Sequence, residues 1–279
     1  MVKHFLNIPY VQSSELPTHQ FDIYVPNVDN PAARPLICFI HGGAWRAEDK
    51  AHHAEFARKL CTLTSCAVAV PNYRLTPNNP AEDEDVFRHP GHAEDALSFL
   101  SFAIAWDGTP GLGRLYDSAQ IFVIGHSCSA HMLASIFLDS SAATPSLSPS
   151  PSLLASVQAI ILSEGIYDLD MLLVRFPAYR EWFILNAFGN LDAYEPFSVT
   201  HLPLRSSTPR WHLIHSRMDS LVDIPQTEAM FAHLTSLVHD PSKVTKDLDS
   251  ITEEHNDMLK GDNYIRVVGN YIKGCTGVI

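Results

Sequence analysis

Short apolar runs recur along the chain and alternate with longer stretches whose apolar residues have helical spacing. Runs such as Pro35–Ile40 are apolar at every position, which predicts strands buried on both faces. The predicted strands are 21–26, 35–40, 66–70, 121–124, 157–162, 211–215 and, more weakly, 244–250. The predicted helices are 51–63, 91–106, 130–138, 226–237 and 257–272. This alternation predicts an α/β fold, a single domain over residues 1–279, in which a mostly parallel sheet carries helices on both faces.

One interval, 167–209, breaks this alternation and is rich in large apolar residues. Its large apolar side chains are Met171, Leu172, Leu173, Phe176, Tyr179, Trp182, Phe183, Ile184 and Phe188. A small helical cap insertion with an apolar inner wall would explain them, and ordinary core residues are the open alternative.

Two further stretches have compositions that predict surface loops. Residues 76–90 are rich in Pro, Asn and acidic residues, and residues 140–152 are rich in Ser, Pro and Ala.

Charge and cysteine usage narrow the class of protein. The chain has 279 residues and a formal net charge of −12, from 19 Lys and Arg against 31 Asp and Glu. An acidic chain without basic runs argues against binding to nucleic acid or to an anionic membrane surface. The five cysteines form no C-x-x-C pair, which favours reduced intracellular thiols over a disulfide framework. The first residues form no apolar leader and no apolar run has the length to cross a membrane, so we expect a cytoplasmic protein.

The strongest chemical motif is Gly125-His126-Ser127-Cys128-Ser129, which lies between a predicted strand and a predicted helix. A serine on such a tight turn matches a nucleophile elbow. The turn lifts Oγ clear of the sheet and brings backbone N–H groups and a helix N-terminus beside the developing charge. The usual motif is G-x-S-x-G, and Ser129 departs from it with another small residue. We therefore predict Ser127 as a nucleophile, and a serine that merely caps the helix is the alternative.

A second motif, His41-Gly42-Gly43-Ala44, directly follows the buried run 35–40. Glycines allow the backbone to approach a substrate closely and to aim N–H groups at it. This pattern matches an oxyanion loop, whereas a plain glycine turn is the alternative. The predicted oxyanion donors are the backbone N–H groups of Gly43, Ala44 and Cys128.

A serine nucleophile needs an adjacent imidazole as its base. Behind a nucleophile elbow, the acid and then the base follow the serine along the chain. The histidines after Ser127 are His131, His201, His212, His215, His233, His239 and His255. We predict His255, because it lies between the last predicted strand and the closing helix, where such sheets carry their chemistry. A solvated loop histidine is the alternative.

The predicted acid is Asp219, which follows the strand 211–215 and would hold the imidazole in one tautomer and stabilise its cation. Asp223 is the rival, and a surface turn is the alternative for either carboxylate. Asp219 is favoured because the Leu221-Val222 pair behind it resembles the acid loop of α/β-hydrolases.

Metal and nucleotide chemistry is not expected. His52-His53 and the pair His89 and His92 are close in sequence, but the chain has no H-E-x-x-H motif and no Cys/His quartet. It also has no G-x-G-x-x-G motif and no P-loop, so we expect neither a resident metal nor a cofactor.

Taken together, these motifs resemble the α/β-hydrolase superfamily along nearly the whole chain, and most of all kynurenine formamidase (arylformamidase) and its small esterase relatives. Residues 125–131, G-H-S-C-S-A-H, are similar to that family's G-H-S-A-G-A-H, and residues 164–169, E-G-I-Y-D-L, to its S-G-x-Y-D-L. Residues 255–257, H-N-D, resemble fungal forms. The chain departs from the family pattern at Ser129, where glycine is usual, and at Glu164, where serine is usual. Glu164 therefore puts a carboxylate near the expected site.

The resemblance implies a serine hydrolase that converts N-formyl-L-kynurenine to L-kynurenine and formate in tryptophan breakdown. The residues expected to contact this small-molecule substrate are His41, Gly42, Trp45, Tyr179, Trp182 and Phe183. Esterase relatives share the motifs, so a carboxylesterase acting on short acyl esters is the first alternative. A catalytically inactive binding module, favoured by Ser129 alone, is the second. The oligomeric state stays open, with a homodimer as one alternative.

Overall fold

The computed structural model describes residues 2–78, 86–108, 111 and 113–276. The strands are β1 (Val2–Pro9), β2 (Gln20–Pro26), β3 (Pro35–Ile40), β4 (Ala67–Pro71), β5 (Asp117–His126), β6 (Val157–Ser163), β7 (Arg210–Ile214) and β8 (Val244–Asp247). These described strands form one sheet in the order β1-β2-β4-β3-β5-β6-β7-β8. The pairs β1/β2 and β2/β4 are antiparallel, and all pairs from β4/β3 to β7/β8 are parallel. The predicted α/β fold with a mostly parallel sheet is confirmed.

Helices cover both faces of this sheet. They are α1 (Ala54–Thr64), α2 (Gly91–Ala105), α3 (Cys128–Phe137), α4 (Pro151–Ser156), α5 (Leu169–Arg175), α6 (Leu185–Phe188), α7 (Ile224–Leu237) and α8 (Asp262–Thr276). Helices α1 and α8 pack together over one face, and α2, α3 and α7 share the core of the other. In the part of the chain that the structure describes, none of the helices combines the length and the apolar character that a bilayer crossing requires.

The central strand β3 shows why its sequence is apolar without interruption. Leu36, Cys38 and Ile40 belong to the core cluster under α2 and α3, whereas Ile37 and Phe39 belong to the cluster under α1 and α8. All five side chains are fully buried. A strand with a core on each side has no face left for polar residues.

The edge strand β1 has no counterpart in the sequence-based prediction. It pairs with β2 through a register shift between Phe5 and Ile8. Asn7, inside this irregularity, has φ 58 and donates its backbone N–H to Asp22 Oδ1 at 2.8 Å. The bulge breaks the alternation of polar and apolar residues, which is the signal that predicts a strand with one exposed face.

The segment 140–152 packs more closely than a surface loop. Ser140, Thr144 and Leu147 are buried, and Arg205 Nη2 donates to the Leu147 carbonyl oxygen at 2.9 Å. The prediction of a surface loop is therefore wrong for these residues. Of the other predicted loop, 76–90, residues 79–85 lie outside the described residues.

The interval 167–209 contains α5, a π-helical turn over Arg180–Ile184, and α6. Phe183 and Phe188 belong to the same buried cluster as the sheet, whereas the side chain of Trp182 is 49% exposed. The segment is helical, as expected for the interval. Its role as a cap stays a prediction.

The register of the parallel strands brings their carboxyl ends to one edge of the sheet. Ile40 at the end of β3 pairs with Gly125 of β5. His126 then pairs with Ser163 at the end of β6, which in turn pairs with Ile214 at the end of β7. The loops that carry the predicted catalytic residues therefore begin side by side.

Gly125 marks the point at which α3 turns back against β5. A Cβ atom at this position would lie 2.8 Å from the Ser129 carbonyl oxygen and 2.9 Å from the Ala130 nitrogen. We expect Gly125→Ala to lower the thermal unfolding midpoint by several degrees, because overpacking costs about 1–3 kcal/mol. In the matched control Gly274→Ala, the new Cβ meets open space on α8, so the midpoint should stay or rise slightly. Thermal unfolding followed by circular dichroism measures both, and equal midpoints would contradict the close-approach argument.

Candidate active site

Ser127 lies on a strained turn between β5 and α3. Its backbone has φ 58 and ψ −123, a region that side-chain-bearing residues rarely adopt. The turn is held by the Ser127 N–H, which donates to the Ser163 carbonyl oxygen at 2.9 Å, and by the Ala130 N–H, which donates to the Ser127 carbonyl oxygen at 3.1 Å. This is the geometry that the sequence motif predicts for a nucleophile elbow.

Ser129, the departure from the usual elbow motif, is built into this turn. It is fully buried, and its Oγ accepts a hydrogen bond from the His126 N–H at 2.8 Å. The same hydroxyl lies 2.7 Å from the carbonyl oxygen of Ile40, to which it donates. The side chain therefore ties the elbow to the end of β3, a connection that glycine could not make.

The loop after β3 runs beside the elbow in an unusual backbone conformation. Gly43, Ala44 and Trp45 have φ values of 98, 51 and 59. The Tyr73 hydroxyl lies 2.9 Å from the Gly42 carbonyl oxygen and can donate to it. Gly43 and Ala44 line the same cavity as the elbow serine, and the role of their N–H groups as oxyanion donors stays a prediction.

A cavity of about 310 Å³ opens beside the elbow. Ser127 and His255 both line it, as does Asn256. Its apolar wall consists of Ile166, Tyr179, Trp182, Phe183, Leu221 and Val222. Three of these, Tyr179, Trp182 and Phe183, are among the residues expected from the sequence to contact a substrate. The other three, Ile166, Leu221 and Val222, were not expected from the sequence to contact a substrate.

Three of the residues expected to contact a substrate do not line this cavity. Trp45 is fully buried, with its ring 5.0 Å from that of Phe188. His41 is also buried and stacks on Tyr73 at 4.4 Å. Gly42 lines a neighbouring cavity of about 370 Å³, which neither Ser127 nor His255 reaches. These residues therefore lie beside or behind the loop, and their contact with a substrate stays a prediction.

Asp219 reaches the predicted base. Its Oδ2 lies 2.7 Å from His255 Nδ1. Its Oδ1 accepts the backbone N–H groups of Leu221 and Val222 at 2.8 and 2.9 Å, which fix the orientation of the carboxylate. The rival Asp223 directly precedes α7 instead.

Two other histidines that follow Ser127 in the chain have hydrogen-bond partners of their own. His131 Nε2 lies 2.7 Å from the Phe197 carbonyl oxygen. His215 Nε2 lies 2.9 Å from the Val222 carbonyl oxygen. Burial lowers the pKa of both imidazoles, so both are neutral near pH 7.

A second carboxylate, that of Glu164, also faces the base. Its Oε2 lies 3.1 Å from His255 Nδ1, and its Oε1 accepts the Ser216 N–H at 3.3 Å. Burial raises the pKa of Glu164 above its ordinary value. Burial lowers the pKa of His255, but the hydrogen bonds and charges of Asp219 and Glu164 outweigh this and raise it. The sequence places this carboxylate near the site, but no sequence signal indicates its contact with the base.

One group of potential metal ligands occurs among the described residues. The ligand atoms of His126, Glu164 and His255 lie within 4.8 Å of one another. His255 Nδ1, however, is already hydrogen-bonded to Asp219. We therefore assign the group to the imidazole–carboxylate network rather than to a metal centre.

Comparison with known proteins gives consistent matches. The family model described as BD-FAE matches residues 21–234. Kynurenine formamidase of Meyerozyma guilliermondii is 27% identical over 206 residues, covering 70% of this chain and 69% of the relative. Kynurenine formamidase of Eremothecium gossypii is 28% identical over 228 residues, covering 78% and 86%. The crystal structure of esterase B from Lactobacillus rhamnosis superposes with a TM-score of 0.76 at 17% identity, covering 99% of this chain and 88% of that one.

Removal of the Ser129 hydroxyl tests its part in the elbow. Ser129→Ala leaves the buried His126 N–H and Ile40 carbonyl group without this partner, which costs about 1–3 kcal/mol. We expect the thermal midpoint to fall by roughly 2–4 °C per kcal/mol. The control Ser236→Ala removes an exposed hydroxyl on α7 and should leave the midpoint within about a degree of wild type, since surface changes are small. A midpoint for Ser129→Ala that equals the control would contradict the bridging role.

Proposed function

The chain belongs to the BD-FAE family and is a hydrolase with the α/β-hydrolase fold, and from this premise we propose that it cleaves N-formyl-L-kynurenine to L-kynurenine and formate with Ser127 as nucleophile. The observation that carries the proposal is that Ser127 and an Asp219-bound His255 line one cavity with an aromatic wall. Two relatives named kynurenine formamidase support the choice of a formamide over an ester.

The first step is acyl transfer to the serine. Ser127 Oγ attacks the formyl carbon while its proton passes to Nε2 of His255. The carbonyl oxygen becomes an oxyanion, which the N–H groups of Gly43, Ala44 and Cys128 stabilise. Each such donor is worth about 2.7–4 kcal/mol in the transition state. Cys128 is the first residue of α3, so the positive end of the helix dipole adds to this stabilisation.

The second step releases the amine. Protonated His255 gives its proton to the aryl nitrogen, the C–N bond breaks, and L-kynurenine leaves a formyl ester on Ser127. His255 then takes a proton from water, the hydroxide attacks the formyl ester, and the returned proton regenerates the serine hydroxyl as formate leaves. Asp219 holds Nδ1 protonated throughout, so that Nε2 is the nitrogen that exchanges protons.

The cavity offers a fit for both ends of this substrate. Tyr179, Trp182 and Phe183 can pack against the aryl ring. Arg46 and Glu48 lie on the same cavity and carry the charges opposite to those of an α-carboxylate and an α-ammonium group. A short acyl ester would use neither charge.

The serine is tested by paired turnover assays. We expect Ser127→Ala to unfold at the wild-type temperature and to lose N-formyl-L-kynurenine hydrolysis by ~10⁶-fold, as for removal of other serine nucleophiles. p-Nitrophenyl acetate is assayed beside it, and a fluorophosphonate probe should label wild type but not the variant. Ester turnover without formamide turnover would move the protein to the carboxylesterases. A folded wild type with neither activity nor labelling would favour the inactive binding module.

Arg46 is tested by a substrate comparison. Arg46→Gln removes a charge-assisted contact, which is worth about 1.5–3 kcal/mol, so KM for N-formyl-L-kynurenine should rise by roughly 10- to 100-fold. The variant also loses the hydrogen bonds of Arg46 to the Asn78 side chain and the Trp182 carbonyl oxygen. KM for p-nitrophenyl acetate, which has no amino-acid group, controls for that change and should stay nearly constant. A similar rise for both substrates would mean that Arg46 shapes the cavity without binding the substrate charge.

A further inference from the structure

Two carboxylates face His255, whereas a Ser-His-Asp triad requires only one. Nδ1 of His255 faces Asp219 Oδ2 at 2.7 Å and Glu164 Oε2 at 3.1 Å. The His255 side chain is 5% exposed, and both carboxylate side chains are 0% exposed. Burial of one charge is costly unless it is paired, and burial of a second like charge beside it costs more. A purely structural account leaves the second carboxylate unexplained.

The fold aims Glu164 at the base. Glu164 follows β6, and its backbone N–H donates to the Ile214 carbonyl oxygen of the neighbouring β7 at 2.8 Å. Its φ of 47 is strained for a residue with a side chain. Oε1 accepts the Ser216 N–H, whereas Oε2 has no hydrogen-bond partner among the described residues and lies 3.1 Å from Nδ1 of His255.

We propose that Glu164 is a positioning residue of the base, a second carboxylate that shares the Nδ1 side of His255 with Asp219, makes the imidazole more basic, and sustains part of the catalysis when Asp219 is removed. The proposal rests on the proposed function, since the proton that His255 receives comes from Ser127. That proton passes from Oγ to Nε2 and later to the nitrogen of the leaving amine, so the transfer needs no other reactant.

The other titratable side chains around His255 are uncharged, so Asp219 and Glu164 supply the negative charge that it faces. His126 of β5 lies with its ring 4.6 Å from that of His255, and burial lowers its pKa, so it carries no competing charge. His215, beside Asp219 at 3.5 Å, is neutral for the same reason. Burial also raises the pKa of Tyr264 of α8, whose hydroxyl is hydrogen-bonded to the Ser163 hydroxyl, so that Tyr264 stays uncharged. The pKa of His255 is raised because the two carboxylates outweigh its burial.

The first experiment measures the basicity of His255 directly. NMR titration of the imidazole resonances, assigned with a His255→Gln variant, is compared for wild type and Glu164→Gln. We expect the His255 pKa to fall by about one unit or more in Glu164→Gln, since a charge removed at this distance shifts a pKa by about 1–3 units. The acid limb of kcat/KM, which reports the base in the free enzyme, should move to lower pH by the same amount.

The matched control is Glu254→Gln. It removes the same charge from the residue next to His255 in sequence, but Glu254 is exposed and accepts from the Ser220 hydroxyl at 2.8 Å. We expect the His255 pKa and the acid limb to stay at wild-type values. An unchanged His255 pKa in Glu164→Gln, or an equal shift in the control, would overturn the proposal.

The second experiment asks whether Glu164 substitutes for Asp219. We expect Asp219→Ala to lose roughly 10²-fold in kcat, and Asp219→Ala with Glu164→Gln to lose ~10⁴-fold, the scale seen when the imidazole loses its orienting carboxylate. Glu164→Gln alone should lose less than tenfold. Equal activity of Asp219→Ala and the double variant would overturn the sharing of Nδ1.

Folding and substrate choice do not obscure the result. If Glu164→Gln fails to fold, Glu164→Asp is used instead, because it keeps the charge but withdraws it by one methylene. We then expect a smaller fall of the His255 pKa, and no fall would overturn the proposal.

Fluorophosphonate labelling of Ser127 replaces the turnover assay if the formamide is not the substrate. If the probe never labels wild type, but the His255 pKa still falls in Glu164→Gln, the serine mechanism is refuted. The pairing of Glu164 with His255 is then kept.

Discussion

The close approach of three backbone segments at the end of β5 is the constraint on which the rest of the site depends. Gly125 lies opposite Ile40 in the parallel ladder, and α3 begins three residues later at Cys128. The chain can reverse in so short a span only through a residue with positive φ, which is Ser127. The strained turn that places the serine on the cavity is therefore held by the register of the sheet, and Ser129 adds hydrogen bonds that stabilise it.

The same register concentrates charge at one buried point. Because β5, β6 and β7 end side by side, the residues that follow them meet around one imidazole. The cost of burying this charge is offset by backbone donors: the N–H groups of Leu221 and Val222 for Asp219, and that of Ser216 for Glu164. The result is an imidazole whose pKa is set by its neighbours, as the proposed proton-transfer role of His255 requires.

The sequence predicts features that a local pattern determines. Buried parallel strands are apolar on both faces, so their limits could be predicted within a few residues, and the elbow follows from glycine and serine spacing at a strand end. Strand β1 lacks such a signal because its bulge breaks the alternation. The segment 140–152 is compositionally plain but contributes the buried Leu147. The contact of Glu164 with His255 joins residues from distant parts of the chain, and periodicity carries no information about such a pair.

The predicted oxyanion loop, which follows β3, both packs into the core and lines the cavity. Trp45 points into the core and packs on Phe188, which fixes the loop with a large rigid side chain. Its sequence neighbour Arg46 faces the cavity instead. In the proposed reaction, Arg46 would hold a substrate charge two residues along the chain from Ala44, one of the proposed oxyanion donors. If the substrate is the proposed amino-acid formamide, binding energy from its amino-acid end would orient the reacting carbonyl and so contribute to rate and not only to affinity.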